Sequence, residues 1–406
     1  MKRLLFGSVL ALAIAGCGAP EPPRPTGGTD ASVGACGRGV VAFDTDFHST
    51  NVSLVALDGR VLSASLVSSA SADTGLSAPL SGDVVAPTEP AGGDVVLVVD
   101  RSAGVVTRVD AKRGVVLGQI DVKTGFASNP QDALEAAPGK IYVSRYDPNL
   151  APGAEPFDGG SDVLLVDAAK GAPVGRIDLA SAVAGEAGMY PRPTRMIAAG
   201  GKVYALLAAT SLDYASSAPS RVVAIDPEHD AIEDVAVLEG LHGCQGLAAS
   251  PSGGAIAVSC PGTFEGSSAS NVAESGLVLL DAGAHLAEAT RVSAADLGGD
   301  PLGFSVAFVG ERALLATTAG KLGASGDRAV VVDLDGGAHH DVLVTKEAFK
   351  LGEVRCAAAC GVCFVADAEQ ADSLARFAVD GGSLSPAASI DPDPAIGLPA
   401  VYLGAF

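Results

Sequence analysis

The chain alternates short apolar runs with turns, and one version of this pattern recurs along its length. An apolar run ends in an aspartate, a turn follows, and another run rich in β-branched residues comes next. The aspartates that end these runs lie between 47 and 59 residues apart and are Asp58, Asp110, Asp167, Asp226, Asp281, Asp333 and Asp380. A near-constant period of this length indicates a repeat architecture, because one unit cannot bury its apolar face without its neighbours.

The third unit shows what one repeat contains. Apolar and β-branched residues predict strands over 140–146, 161–167 and 173–179, and a shorter strand over 132–137 precedes them. Glycine-containing turns separate these strands, for example at 168–171. Four antiparallel strands per repeat are typical of a β-propeller blade, whereas a β-sandwich would not give seven near-equal units.

The two ends of the chain are irregular in a complementary way. Residues 39–43 occupy the second-strand position of the first unit with no inner strand before them, and the last unit overruns to 399–406. The C-terminal strand can supply the missing inner strand and leave no open end. The sequence therefore predicts an all-β, seven-bladed β-propeller of four-stranded antiparallel blades, closed by the C-terminal strand pairing into the first blade.

A family resemblance supports the same fold. Asn129-Pro-Gln-Asp132, leading to Gly139-Lys-Ile-Tyr-Val-Ser-Arg-Tyr146, resembles the repeats of the surface-layer and YncE-like YVTN propellers. The resemblance extends over nearly all of residues 38–406 and implies an extracytoplasmic seven-bladed ring. It implies little about activity, because propellers host many unrelated functions.

The N-terminus predicts export. Lys2 and Arg3 precede an apolar stretch over 4–14, which is too short to span a bilayer as a mature helix. Small residues directly before Cys17 resemble a bacterial lipobox, which implies cleavage before Cys17 and lipidation of this residue. Gly18 follows instead of the aspartate that retains enterobacterial lipoproteins in the inner membrane. We therefore expect a lipoprotein of the bacterial cell envelope, anchored in the outer membrane.

This interpretation divides the chain into three parts. Residues 1–16 form the predicted signal peptide, and residues 17–36 form the lipidated cysteine and a flexible tether rich in Pro and Gly. The propeller is predicted over 37–406.

Composition narrows the choice of partners. The chain has 406 residues, 48% of them hydrophobic, with a formal net charge of −21. That charge argues against nucleic acid, which needs a basic footprint. We expect a monomer that touches the membrane through its lipid anchor only. Its partner, of unknown identity, would be an envelope protein, peptide or glycan.

Six cysteines remain beyond the lipobox, an even number that favours disulfides in an exported protein. Two pairs lie symmetrically about predicted turns, and the remaining two lie near matching turns of the first and last blades. The predicted bridges are Cys244–Cys260, Cys356–Cys363 and Cys36–Cys360.

The rival interpretation is a metal or redox site at Cys356, Cys360 and Cys363. Three cysteines without a nearby histidine are an incomplete set of zinc ligands, because a structural zinc site has four. A hairpin also lacks the helix N-terminus that typically stabilises a redox thiolate. We therefore favour disulfides.

A binding face is predicted where the long second-to-third-strand loops meet the loops between blades. A chain with only 4% aromatic residues places several of them there, which suggests a ligand surface. The alternative is that these aromatics only plug the rim. The candidate residues are Phe47, His48, Arg145, Tyr146, Tyr190, Arg192, Arg195, His242 and Phe264, with Asp147 and Tyr214 in the same loops. We expect Arg145 and Arg195 to be exposed, so that reversing their charges abolishes partner capture with little effect on stability.

Candidate chemistry is sparse. His48 and His242 lack a partner in a spaced motif. Asp44 and Asp46 could help to bind Ca²⁺ but lack the ordered ligand loop of an EF-hand. The sequence contains no nucleophile elbow, phosphate loop, His-Glu-x-x-His or haem-attachment motif. We assign no catalytic residue, no metal and no cofactor.

Two classes of function remain. The first is a non-enzymatic, lipid-anchored propeller that acts as a binding or scaffold module. The second is a hydrolase of the lactonase type with a divalent metal in the funnel, to which Asp132 and Asn129 could contribute. A quinoprotein dehydrogenase is disfavoured, since its blades dock through Trp and this chain has none. The lack of a catalytic constellation favours the binding module.

Overall fold

The apolar runs form seven four-stranded antiparallel sheets, arranged as the blades of a β-propeller. We describe a computed structural model over residues 37–72, 75–265, 269–270, 272–283 and 285–406, of which 264–265 and 269–270 are described for the backbone only. The predicted inner strand of the third unit is present and begins two residues earlier than expected, at Pro130–Ala137. The predicted fold class is therefore confirmed.

The strand bounds, from the inner to the outer strand, are these. Blade 1 contains Ala400–Ala405, Gly39–Thr45, Thr50–Ala56 and Val61–Ser68. Blade 2 contains Val84–Val85, Val95–Asp100, Val105–Asp110 and Val115–Asp121. Blade 3 contains Pro130–Ala137, Lys140–Pro148, Gly160–Asp167 and Ala172–Asp178. Blade 4 contains Pro193–Ala199, Lys202–Leu207, Arg221–Asp226 and Ala231–Val237.

The remaining blades follow the same order. Blade 5 contains Gly246–Ala249, Ala255–Cys260, Gly276–Asp281 and Ala287–Ser293. Blade 6 contains Leu302–Gly310, Ala313–Thr318, Arg328–Asp333 and His339–Val344. Blade 7 contains Leu351–Ala357, Val362–Asp367, Leu374–Asp380 and Ser383–Ile390. Two short ribbons pair Met189–Tyr190 with Thr210–Ser211 and Phe264–Glu265 with Ala269–Ser270. Single turns of 3₁₀-helix occur at Ala180–Val183, Val272–Glu274 and Ala358–Cys360.

The recurrent aspartates form the turns between third and fourth strands. Oδ1 of Asp110 accepts the backbone N–H groups of residues 112 and 113 at 3.0 and 2.8 Å. Gly114 then ends the turn with φ +63°, a conformation that glycine adopts without steric cost. The same side-chain contact to the backbone two residues on occurs at Asp58, Asp167, Asp226, Asp281 and Asp333.

The core lies between the blades. In the described part of the chain, one large cluster of buried apolar side chains fills each interface between neighbouring blades. At the interface of blades 3 and 4, for example, Tyr142 and Leu134 pack with Met196. Such packing explains the period of the sequence, because every blade buries one face against each neighbour.

The C-terminal strand closes the ring. Ala400–Ala405 pairs antiparallel with Gly39–Thr45, so that the last strand of the chain is the inner strand of blade 1. Leu403 and Phe364 lie in the cluster that joins blades 7 and 1, and both are buried. The predicted closure is therefore confirmed.

Disulfide bonds cross-link two of the hairpins formed by inner and second strands. Cys244 is bonded to Cys260, and Cys356 is bonded to Cys363, as the hairpin spacing predicted. Cys360 is also disulfide-bonded, so these thiols are not available as zinc ligands. Its predicted partner Cys36 lies outside the described residues.

Residues 1–36 lie outside the described part, and with them the predicted signal peptide, Cys17 and the tether. Among the residues that are described, none of the helices has the length and apolar character needed to cross a membrane.

Candidate functional site

The loops at the interface of blades 3 and 4 bring together five of the rim residues. These five, which we call the tyrosine–arginine cluster, are Tyr146, Asp147, Tyr190, Arg192 and Tyr214. Tyr146 and Asp147 lie near the end of Lys140–Pro148, where the second strand of blade 3 continues beyond the predicted length. Tyr190 belongs to the short ribbon before blade 4, and Tyr214 follows the other strand of that ribbon.

Arg192 holds the cluster together. Its side chain is 1% exposed and forms an ion pair with Asp147. The centre of its guanidinium lies 4.4 Å from the ring centroid of Tyr214, 4.9 Å from that of Tyr146 and 5.9 Å from that of Tyr190. Nη2 also donates to two backbone carbonyls of the 211–212 turn at 3.1 Å. A buried cation surrounded by aromatic faces is fixed by the ring quadrupoles as well as by its hydrogen bonds.

Tyr214 presents the accessible side of the cluster. Its ring stacks on Tyr146 with centroids 6.3 Å apart and planes inclined by 9°. Its hydroxyl donates to Oδ1 of Asp147 at 2.9 Å, yet the residue is 57% exposed. Burial raises the pKa of both tyrosine hydroxyls, so both remain protonated at neutral pH. The result is a flat aromatic surface of fixed orientation that borders a carboxylate.

The backbone beneath this surface is strained. Arg192 and Tyr214 adopt left-handed conformations, with φ of +54° and +60°. Residues with a Cβ pay of order 1–3 kcal/mol for such conformations. Strain of this kind persists where the surrounding structure fixes it, and it is concentrated at ligand sites.

Arg145 does not belong to the face, contrary to expectation. It is 0% exposed and lies directly opposite Asp162 in the paired strands of blade 3. Its guanidinium donates to both carboxylate oxygens of Asp162 at 2.8 and 2.7 Å, and to the carbonyl of Phe157 at 2.6 Å. The prediction treated Arg145 as the start of a rim loop, but the strand continues to Pro148 and Arg145 is paired with Asp162 inside the sheet.

Arg195 is also not a rim residue. It lies on the inner strand of blade 4 and spans the central channel. There it donates to the carbonyl of Ala86 in blade 2 at 2.8 Å and pairs with Glu353 in blade 7. Burial lowers the pKa of Arg195, but Glu353 and Asp132 outweigh this effect and raise it. The guanidinium of Arg195 therefore links blade 4 to blades 2 and 7 through a hydrogen bond and an ion pair.

Asp132, a candidate metal ligand, has its oxygens occupied. They accept from Thr88 N and Oγ1 at 3.0 and 2.7 Å, and from the backbone N–H groups of Ala133 and Met196 at 2.8 Å each. Asn129, the other candidate ligand, accepts instead from Gln131 at 2.6 Å. The bonds from Thr88 and Met196 link blade 3 to both of its neighbours, so both oxygens of Asp132 already serve as acceptors between blades.

Three further charged residues line the channel and were missed from the sequence. Glu353 accepts from Leu403 N at 2.8 Å, and Arg355 donates to the carbonyl of the same residue at 2.5 Å. Burial raises the pKa of Glu89 to about 7, although Arg355 opposes the shift. Glu353 and Arg355 alternate on an inner strand, and this charge pattern was the available signal. Nowhere in the described part do three or more His, Cys, Asp or Glu side chains come together in a way that would hold a metal ion.

The other residues predicted for the binding face lie in separate loops and do not join the tyrosine–arginine cluster. Phe47 and His48 lie exposed in the blade 1 turn between the second and third strands. His242 is half-buried, and its Nδ1 bonds to Ser217 Oγ at 2.8 Å, next to the tyrosine–arginine cluster along the blade 4 loop. Phe264 lies in a ribbon that is described for its backbone only.

Comparison with known proteins supports the fold. No protein-family model and no curated protein matches the sequence. The chain is similar to a putative 6-phosphogluconolactonase from Bacteroides uniformis, with 12% identity, a TM-score of 0.55 and coverage of 91% of this chain and 99% of that chain. The chain is also similar to a putative 6-phosphogluconolactonase from Bacteroides fragilis, with 14% identity, a TM-score of 0.55 and coverage of 92% of this chain and 99% of that chain. Similarity to hydrazine synthase of Kuenenia stuttgartiensis has 16% identity and a TM-score of 0.53, and it covers 84% of this chain and 90% of that chain. At these identities the similarity shows a propeller fold and does not extend to activity.

Proposed function

We propose that this protein is a non-catalytic binding module of the bacterial cell envelope, which holds a protein, peptide or glycan on the loop face that carries the tyrosine–arginine cluster. One observation carries the proposal: the exposed ring of Tyr214 is stacked on Tyr146 and held there by buried Arg192. An aromatic surface fixed in this way loses little conformational entropy when a ligand binds.

The surroundings of the ring fit a ligand of mixed character. Leu212, in the same turn as Tyr214, is exposed and extends the apolar surface. The Tyr214 hydroxyl and the half-buried Asp147 carboxylate supply polar contacts at its edge. Aromatic stacking combined with nearby hydrogen-bonding groups suits both peptides and sugars.

The proposed location rests on the sequence. Lipidation of Cys17 would anchor the chain, and residues 18–36 would hold the propeller off the membrane. The resemblance of residues 129–146 to YVTN and YncE-like repeats supports an extracytoplasmic role and is the basis on which we assign the chain to that family.

The lactonase alternative receives no comparable support. It needs free carboxylate and amide oxygens in the funnel, and those of Asp132 are occupied by bonds between blades. Arg195 also spans the channel where a metal would be expected.

Tyr214→Ala should reduce ligand capture from solubilised envelope extract at least about 10-fold, the effect of losing about 1.4 kcal/mol of binding free energy. The unfolding free energy should fall by only about 1–2 kcal/mol, because the substitution removes the stacking on Tyr146 and the contact with Arg192 but leaves the blade cores intact. Mass spectrometry of material retained by immobilised wild-type and variant proteins gives the comparison.

Leu322→Ala is the matched control. Leu322 is 83% exposed in a loop of blade 6, so its loss removes a comparable apolar group from a different part of the rim. The control should retain the same material as the wild type. Equal capture by Tyr214→Ala and the wild type would show that the retained material binds elsewhere.

A further inference from the structure

A second polar site lies inside blade 1, away from the tyrosine–arginine cluster. Asp44 and Asn51 face each other across paired strands, and Ser53 follows on the same strand as Asn51. Asp393 approaches from the segment that leads to the closing strand. We call these four residues the closure cluster; Asp44, Asn51 and Ser53 are 0% exposed and Asp393 is 3% exposed.

Oxygen atoms surround the amide of Asn51. Its Nδ2 lies 2.8 Å from the carbonyl oxygen of Ala64, 3.0 Å from Asp393 Oδ2, 3.1 Å from Ser53 Oγ and 3.4 Å from Asp44 Oδ2. An amide nitrogen carries two hydrogens and cannot satisfy four oxygens. The site therefore has more acceptors than donors.

The rest of the cluster has the same imbalance. Ser53 Oγ lies 2.7 Å from both Asp44 Oδ2 and the carbonyl of Ala64, but it carries a single hydrogen. Oδ1 of Asp44, the other oxygen of this carboxylate, is buried and has no hydrogen-bond partner in the described structure. Burying a carboxylate oxygen without a partner costs free energy unless a positive charge lies nearby. The described side chains supply no such charge to this site.

No described cation supplies that charge. The charged groups that act on Asp44 are the carboxylates of Asp393 and Asp391, and both are of the same sign. Neither Asp44 nor Asp393 belongs to an ion pair among the described residues. Two buried carboxylates therefore meet with only neutral groups between them.

We propose that the closure cluster binds one divalent cation, Ca²⁺. Its ligands would be carboxylate oxygens of Asp44 and Asp393, the Ser53 hydroxyl, the carbonyl of Ala64 and the amide oxygen of Asn51. These are hard oxygen donors of the kinds that Ca²⁺ takes in proteins. Two carboxylates balance the charge of the ion.

Rotating the side-chain amide of Asn51 by half a turn would make an oxygen available to the cation. It directs Oδ1 towards the cluster and Nδ2 towards Ser65, whose hydroxyl now donates to Oδ1 at 2.7 Å. The Ser65 hydroxyl accepts a hydrogen bond equally well, so the rotation leaves that contact intact. The ion would then join the second and third strands of blade 1 to the segment before the closing strand.

A shared proton is the competing source of positive charge. Burial raises the pKa of Asp44 to about 7, and Asp393 and Asp391 add to the shift. Since the folded pKa exceeds the unfolded one, the metal-free protein should lose stability as pH rises from about 4 to about 7. Ca²⁺ must displace this proton, so its affinity should fall on acidification.

The test is calorimetric titration of chelator-treated full-length protein with CaCl₂ at about pH 8, with thermal unfolding followed in parallel. We expect one Ca²⁺ per chain, a rise in the unfolding temperature with Ca²⁺ concentration, and weaker binding at about pH 6. Asp44→Asn combined with Asp393→Asn should abolish both effects. Asp380→Asn, which removes an exposed carboxylate of blade 7, should leave both unchanged.

Two results would overturn the proposal. Wild-type protein that shows no Ca²⁺-dependent heat or stabilisation at about pH 8, and responds to pH alone, would establish the shared proton instead. Binding that persists in the double variant would place the ion elsewhere. The wild-type titration decides the first point even if the double variant does not fold.

Discussion

Replacing Arg145 by alanine should lower the free energy of unfolding by about 3–5 kcal/mol. The substitution leaves the carboxylate of Asp162 buried without its two hydrogen bonds from Arg145, and only the longer contact from Arg176 at 3.5 Å remains. The carbonyl of Phe157 loses its donor as well. Denaturant unfolding monitored by circular dichroism measures the loss.

Arg60→Ala is the control for this prediction. Arg60 also pairs with an aspartate, Asp58, but its side chain is 74% exposed. Its removal should cost less than about 1 kcal/mol, because water replaces the lost partner. A similarly small loss for Arg145→Ala would mean that this arginine is solvated, as the sequence alone had suggested.

Deleting residues 400–406 should prevent the protein from forming a stable ring. The deletion removes Leu403 from the core between blades 7 and 1 and exposes the edge of Gly39–Thr45. An unpaired edge beside an apolar surface promotes association between chains. We expect the truncated protein to aggregate, as judged by soluble yield and size-exclusion chromatography.

Complementation is the control for the truncation. A synthetic peptide of residues 399–406, added during refolding, should restore soluble protein because it can pair with the same edge. A truncated protein with unchanged unfolding temperature and unchanged amide exchange in Gly39–Thr45 would show that the ring is closed by other contacts.

The fold could be predicted because its signals are local. Six of the seven recurrent aspartates contact the backbone two residues ahead, as Asp110 does, and the alternation within a strand covers only a few residues. Ring closure was also accessible, since the missing strand at one end matched the extra strand at the other. The rim position of Tyr146, Tyr190 and Arg192 followed from loop positions.

The failures concern contacts that no local pattern encodes. Arg145 is buried because the strand register places it opposite Asp162, whereas its position near the end of the predicted strand suggested an exposed rim residue. Arg195 meets Glu353 across the channel, 158 residues away in the chain. Asn51 and Asp393 are separated by 342 residues and meet because of ring closure. The geometry of the whole ring decides the last two of these pairs.

Hydrogen–deuterium exchange with and without the material captured by the wild-type protein tests the binding face most directly. The account predicts slower exchange in peptides that cover 145–150, 186–195 and 208–217, and no such change in Tyr214→Ala. Protection confined to the inner strands of the channel, or unchanged exchange at the tyrosine–arginine cluster while the material remains bound, would contradict it.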